Sequence, residues 1–227
     1  MSKSMHEFWL QHVHSFFVSV RFLFATATAL TNAIGTIYLL GKDLSYTEVG
    51  VIWSVTLFFS TVLDFPTGNF ADIHGRKLTF AMGVTSVGAG NLIFGMGNSL
   101  GVFLVAAFFV GFGAAQMSGA LSSWVVDEQM KQNKRETIGK IFGDGSAAAS
   151  MGGVIGGILI GVFFKGPLEA LYFSSGFLLV LTGFFVFVAI PENYGKPEGR
   201  WIGLPREVIT YFVHSLPLVV LSVALVL

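Results

Sequence analysis

Beyond a polar opening segment, residues 1–14, the chain alternates long apolar runs with short polar breaks. The first run covers residues 16–40, interrupted only by Arg21 near its start, and a loop holding Lys42, Asp43 and Glu48 closes it. The second covers 49–70 and contains Asp64 and Pro66, a proline that membrane helices tolerate because neighbouring groups satisfy the freed carbonyl. No charged residue then appears from Leu78 to Val126. About 20 apolar residues cross a bilayer, so this stretch holds two spans. Gly97-Asn98-Ser99 is the natural turn between 78–96 and 100–126. A polar loop at 127–140 leads to a fifth span at 138–164, which carries one acid, Asp144. Lys165-Gly166-Pro167 turns the chain into a sixth span, 168–190, ended by Pro191-Glu192-Asn193. A polar linker follows, and a seventh apolar run from about 211 reaches Leu227, too short to cross. The pattern predicts an all-α polytopic membrane protein. Residues 1–195 form a six-helix transmembrane domain, and 196–227 form a linker and the start of a seventh helix, so the chain reads as a piece of something longer.

Composition agrees with that reading. The chain is 53% hydrophobic and only 11% charged, about half the charge fraction of an ordinary soluble domain. Net charge is zero and there is no basic patch, which argues against a nucleic-acid partner. With no cysteine there is neither a disulfide nor a thiolate metal site, and no metal or cofactor is expected. Charge placement gives orientation. If the amino terminus, the 2–3 turn, the 4–5 loop and the 6–7 linker share one side, that side holds Lys3, Arg21, Arg76, Lys77, Lys131, Lys134, Arg135, Lys140, Lys196, Arg200 and Arg206. The other side holds Lys42 and Lys165. Such an asymmetry predicts a cytoplasmic amino terminus in a plasma (inner) membrane.

The charged 2–3 turn holds Gly68, Asp72, Gly75, Arg76 and Lys77. Gly75 can adopt positive φ and so reverse the chain tightly. Arg76 and Lys77 suit the headgroup layer, whereas Asp72 needs a cation or a helix N-terminus beside it. Asp127, at the end of the fourth span, is a candidate partner for Arg76. Asp64, Gly68 and Asp72 fall at i, i+4 and i+8, one stripe of a helix, and a glycine between two acids suggests close approach of another helix.

Gly68-x-x-x-Asp72-x-x-Gly75-Arg76-Lys77 resembles the loop 2–3 signature of the major facilitator superfamily. The region from Trp124-Val125-Val126-Asp127 to Arg135-x-x-x-Gly139 is similar to that family's second cytoplasmic charge cluster, and Pro191-Glu192 after the sixth span is also typical. The resemblance runs the length of the chain. It implies an amino-terminal half of a secondary active transporter working by alternating access on a small solute. It also implies a carboxy-terminal six-helix half as partner and a gating latch built on Gly68, Asp72, Gly75, Arg76, Lys77, Asp127 and Arg135. Two positions depart from the family pattern: Ala107 stands where the fourth-helix signature has arginine, and Gly157 where the antiporter signature has proline. The resemblance therefore does not carry proton-coupled antiport with it.

Polar residues on apolar helices point to protein or to a water-filled path. Arg21, Thr28 and Asn32 share one face of the first span, and Gln116, Ser123 and Asp127 one face of the fourth. Arg21, Asn32, Asp64, Gln116 and Asp144 are thus candidates for the substrate path or for coupling. Asp144, alone between Lys140 and Lys165, is expected to pair with Arg21. Gly145, Ala149, Gly153, Gly156 and Gly161 read as a packing surface of the fifth span. Phe24, Phe58, Phe59, Phe108 and Phe109 read as lipid-facing, and Trp124 and Trp201 as interfacial anchors. An intramembrane serine protease is the enzyme alternative; no Gly-x-Ser triplet lies within the spans, so no enzymatic activity is expected. The remaining alternative is a non-transporting scaffold or split subunit that needs a second six-helix half.

Overall fold

A computed structural model describes Phe8 and residues 12–194. The linker and the seventh run, with Trp201, lie outside the described residues. The first span is broken into α1 (Val13–Asn32) and α2 (Gly35–Leu40). The second is one helix, α3 (Tyr46–His74), and the third is α4 (Arg76–Met96). The fourth is also broken, into α5 (Leu100–Met117) and α6 (Ala120–Lys131). A 3-10 turn at Arg135–Thr137 precedes α7 (Ile138–Ile158), which runs on through a π turn, Leu159–Phe163. The sixth span is α8 (Leu168–Ala189). Six helical segments are long and apolar enough to cross a membrane, and the described residues contain no strand. Helices suit this environment because they satisfy their backbone polar groups internally.

The loops gather at two ends. Lys42 pairs with Glu169 at 2.7 Å and donates to Asn98 at 3.3 Å, joining the 1–2, 3–4 and 5–6 turns. The opposite, basic end holds Arg76, Lys77, Lys131, Lys134 and Arg135. At the first end α3 opens on a capping box: Ser45 Oγ accepts from Glu48 N–H at 3.3 Å, and Glu48 accepts from Ser45 N–H at 2.8 Å.

Small residues decide the packing, because lipid tails compete with any apolar side chain for a helix surface. The central helix is α4, which packs on α5 and α8. A Cβ on Gly88 would stand 2.8 Å from the Gly176 carbonyl oxygen, and one on Gly113 would stand 2.4 Å from that of Gly83. The α1–α7 contact works the same way, with Gly152 against the Phe22 carbonyl and Gly156 against that of Thr26. The expected packing stripe of α7 is therefore corrected by one register. Gly145, Gly152 and Gly156 face α1, whereas Gly153 and Gly161 have no atom within 4 Å of a Cβ built on them.

Other expectations also change. Trp124 is fully buried and donates its indole N–H to the Pro191 carbonyl at 3.1 Å, so it is a core residue rather than an interfacial anchor. Phe58 is exposed as expected, but Phe59 stacks edge-on against Phe108 and is half-buried, and Phe24 lines a cavity.

Both helix breaks have local causes. In α1, Thr26, Thr28 and Thr31 turn their hydroxyls back onto the carbonyls of Phe22, Phe24 and Thr28. Such back-bonding weakens and bends a helix. Beyond the break, Gly35 lies where a Cβ would meet the Trp53 ring at 2.8 Å. The fourth span breaks at Ser118-Gly119, where Gly119 is left-handed at φ +73°.

Candidate functional site

At the basic end, α3 and α4 are separated by a single residue. Gly75 has φ +114° and ψ +138°, a conformation open in practice only to glycine. The expected turn at 68–77 is thus much shorter than the sequence suggests: Gly68 and Asp72 lie inside α3. Four N–H groups open any helix without an intrahelical partner. Here each finds one: Gly75 N–H donates to the Ala71 carbonyl at 3.0 Å, Arg76 N–H to the Asn193 carbonyl at 3.1 Å, Lys77 N–H to Glu192 Oε1 at 2.7 Å and Leu78 N–H to Glu192 Oε2 at 3.0 Å. The Glu192 carboxylate sits where the helix dipole favours negative charge. Lys77 Nζ lies 5.0 Å over the Phe187 ring.

Arg76 bridges three helices. Its guanidinium donates to Asp72 Oδ1 from Nε at 3.3 Å and from Nη2 at 3.1 Å, while Nη1 donates to the Ser123 carbonyl at 3.0 Å and pairs with Asp127 Oδ2. Asn193 closes the assembly, its amide donating to the Trp124 carbonyl and to Glu128 Oε1, both at 3.2 Å. Glu128 also accepts from Lys131 Nζ at 2.7 Å. The result is a clasp over the ends of α3, α4, α6 and α8. The Arg76–Asp127 partnership is the one expected from the sequence. Glu192 and Asn193 are clasp residues to which sequence reasoning assigns no role; their signals are a polar pair directly after an apolar span and, for Glu192, its place in the family-like Pro191-Glu192.

Other candidates are placed differently. Arg135 is exposed on the 3-10 turn and joins neither Asp72 nor Asp127. Gly68 is exposed with no atom within 4 Å of a built Cβ, so the close helix expected there is absent from the described residues. The Asp64 carboxylate is likewise exposed, with no ion pair among the described residues. Asp144 does not pair with Arg21: its Oδ2 lies 2.8 Å from His14 Nε2, because α1 starts at Val13 and brings His14 to the start of α7.

Arg21 instead faces a cavity of about 490 Å³, with Thr28, Thr31 and Asn32 of α1, Asn91 of α4 and Ser118, Gly119 and Ser122 at the α5–α6 break. Phe24, Phe80, Val87 and Val110 supply its apolar wall. Gln116 is not among its lining residues. The break at Ser118-Gly119 separates Gln116 from Ser123 and Asp127, and its side chain is buried against α4 with both amide atoms unpartnered among the described residues. Gly119 has open space where a Cβ would stand, so only its backbone resists substitution. Gly119→Ala is expected to cost about 1 kcal/mol, the ordinary penalty of a left-handed L-residue, read from the unfolding midpoint in detergent micelles.

A six-span helical bundle clasped through a Gly68-to-Lys77 signature is the architecture that the resemblance implies. The profile of the Major Facilitator Superfamily matches residues 17–227. The chain belongs to this superfamily. Among curated proteins it is similar to the multidrug resistance protein MdtG of Escherichia coli strain 55989, with 25% identity over 162 residues, or 71% of this chain and 38% of that protein. MdtG of strain K12 / DH10B matches at 25% and that of strain SMS-3-5 at 24%, with the same coverage. The matched stretch thus spans well under half the length of these relatives. Family and helices together make this a multi-pass membrane protein.

Proposed function

We propose that this chain is the amino-terminal six-helix unit of a secondary active transporter of a small solute, working by alternating access against a second six-helix unit. The Arg76 clasp is the observation that carries the reading. Replacing a few hydrogen bonds there frees α3, α4, α6 and α8 to shift, as a latch on one side of a rocking unit requires. In this reading the basic end is cytoplasmic, the membrane is the inner membrane, and the cavity beside Arg21 and Asn32 is half of the substrate path. The surfaces of α3 and α7 support a second unit as partner. On α8 the exposed residues are bulky, Phe177, Leu181 and Phe184, and suit lipid. Those of α7 include Gly143, Ser146, Ala147, Ser150 and Gly157, and those of α3 include Thr61, Asp64 and Gly68, small or polar groups that suit another helix, interleaved with bulky ones such as Met151, Val154, Leu57 and Phe58.

These 227 residues hold no cysteine, so single cysteines placed in them test this in the full-length gene product once any cysteine in the rest of that product is replaced. A membrane-impermeant maleimide added outside intact cells is expected to label Lys165→Cys and to spare Lys134→Cys. Asn32→Cys is expected to be labelled from either face, and Asp72→Asn to shift that labelling towards the cytoplasmic face while insertion is unchanged. Labelling of Asn32→Cys from one face only, in both backgrounds, defeats alternating access.

A further inference from the structure

Apart from the exposed Glu136, the acidic side chains described at the basic end are committed. Asp72 and Asp127 hold Arg76, Glu128 holds Lys131, Glu192 holds the N-terminus of α4, and Asp144 faces His14. Arg21 is exposed and takes none of these acids. It has neither an ion pair nor a hydrogen bond among the described residues, and it is the one charged side chain lining the cavity. An intramembrane cation is tolerated where it faces a water-filled space or a partner, and this one is left with its five guanidinium donors unspent. The unspent polar groups continue along the wall. Asn32 and Ser122 make no side-chain hydrogen bond among the described residues, whereas Asn91 has given its amide to Ser175 at 2.8 Å. Between them, Phe24, Phe80, Val87 and Val110 form an apolar surface.

We propose that this cavity binds an amphipathic organic anion, with its carboxylate, sulfonate or phosphonate head on Arg21 and its apolar body against Phe24, Phe80, Val87 and Val110. The proposal rests on the reading of the cavity as the substrate path and adds the charge of the substrate to it. A carboxylate-type head matches the planar fork of arginine, which binds it through two parallel hydrogen bonds. Arg21 and Asn32 are eleven residues apart on α1, roughly 16 Å of helix rise, so a molecule with a polar group at its far end reaches Asn32 as well. A volume of about 490 Å³ lies within the usual range of drug-sized sites, roughly 300–1,000 Å³. A cationic amphipath of the same shape meets Arg21 with no carboxylate in the wall to offset it.

The test is equilibrium binding to the 227-residue chain in phosphatidylcholine nanodiscs, with empty discs subtracted. The probes are 2-naphthylacetate and 2-(2-naphthyl)ethylammonium, which share a ring and differ in charge. The anion is expected to bind at least about tenfold more tightly than the cation. Arg21→Gln is expected to weaken the anion by roughly 10- to 100-fold and to leave the cation unchanged or tighter. Arg21→Lys, which keeps the charge and loses the fork, should fall between the parent and Arg21→Gln, and Lys165→Gln should retain all of the affinity. Anion affinity that survives in discs containing phosphatidylglycerol identifies a free organic anion as the ligand. Loss of affinity in those discs means that lipid headgroups occupy Arg21, and overturns the proposal. So does equal binding of the two probes, or an anion affinity indifferent to Arg21→Gln. The labelling of Asn32→Cys bears on alternating access alone, so the two readings fail separately.

Discussion

Arg76→Gln is expected to destabilise the chain by about 2–3 kcal/mol and to abolish transport by the full-length protein. Removing one member of a buried ion cluster leaves uncompensated charge, at a cost of about 3–5 kcal/mol when burial is complete. Here Arg76 is 13% exposed, but Asp72 and Asp127 are 37% and 35% exposed, so water screens part of the repulsion between them. The variant also gives up the bond to the Ser123 carbonyl. Arg76→Lys keeps the charge and loses the fork that reaches Asp72, Asp127 and Ser123 at once, so it should fall between the two. A triple variant, Arg76→Gln with Asp72→Asn and Asp127→Asn, replaces the cluster with neutral amides. Its unfolding midpoint is expected to recover to within about 1 kcal/mol of the parent, since replacing a whole ion cluster is often near neutral. Transport should not recover with it. A triple variant that regains both stability and transport reduces the clasp to a structural tie.

The spans themselves were legible because a run of 20 apolar residues has few other uses, and Arg76 with Asp127 was legible because opposite charges at adjacent span ends seek each other. What the pattern hid is instructive about hydropathy. Neither helix break interrupts the apolar run: threonines that bond backward and a glycine at positive φ change the path of the chain without changing its polarity. The fourth span therefore reads as one stripe from Gln116 to Asp127, and the break turns that stripe into two unrelated faces. Trp124 reads as an anchor from its place near a span end, yet α6 extends past the apolar run to Lys131 and carries the indole under Pro191. His14 belongs by sequence to the polar opening segment, outside the spans, which hides it as the partner of Asp144. Glu192 and Asn193 lie over a hundred residues from Lys77 and Arg76, and no spacing rule links an acid after one span to the first turn of a helix three spans earlier.

Gly75→Ala is expected to cost about 3–4 kcal/mol. Two effects combine. At φ +114° and ψ +138° an L-residue carries a strain of about 1–3 kcal/mol. The new Cβ would also stand 2.3 Å from Glu192 Cδ and 2.6 Å from its Oε2. Elsewhere a flexible glutamate would swing aside, but this carboxylate is pinned by the N–H groups of Lys77 and Leu78, so moving it uncaps α4. Losing such a cap costs about 1–2 kcal/mol. Glu192→Ala alone should cost that amount, and the double variant should cost less than the sum of the two, because the cap is lost only once. A coupling of about 1–2 kcal/mol is therefore expected from the double-mutant cycle on unfolding midpoints in micelles. Gly119→Ala supplies the comparison, since it meets backbone strain with open space around it. If Gly75→Ala costs no more than Gly119→Ala, Glu192 is a passive neighbour of the turn. If the excess disappears when Glu192 is removed, the end of the sixth span holds the third in place, and any movement of one is felt by the other.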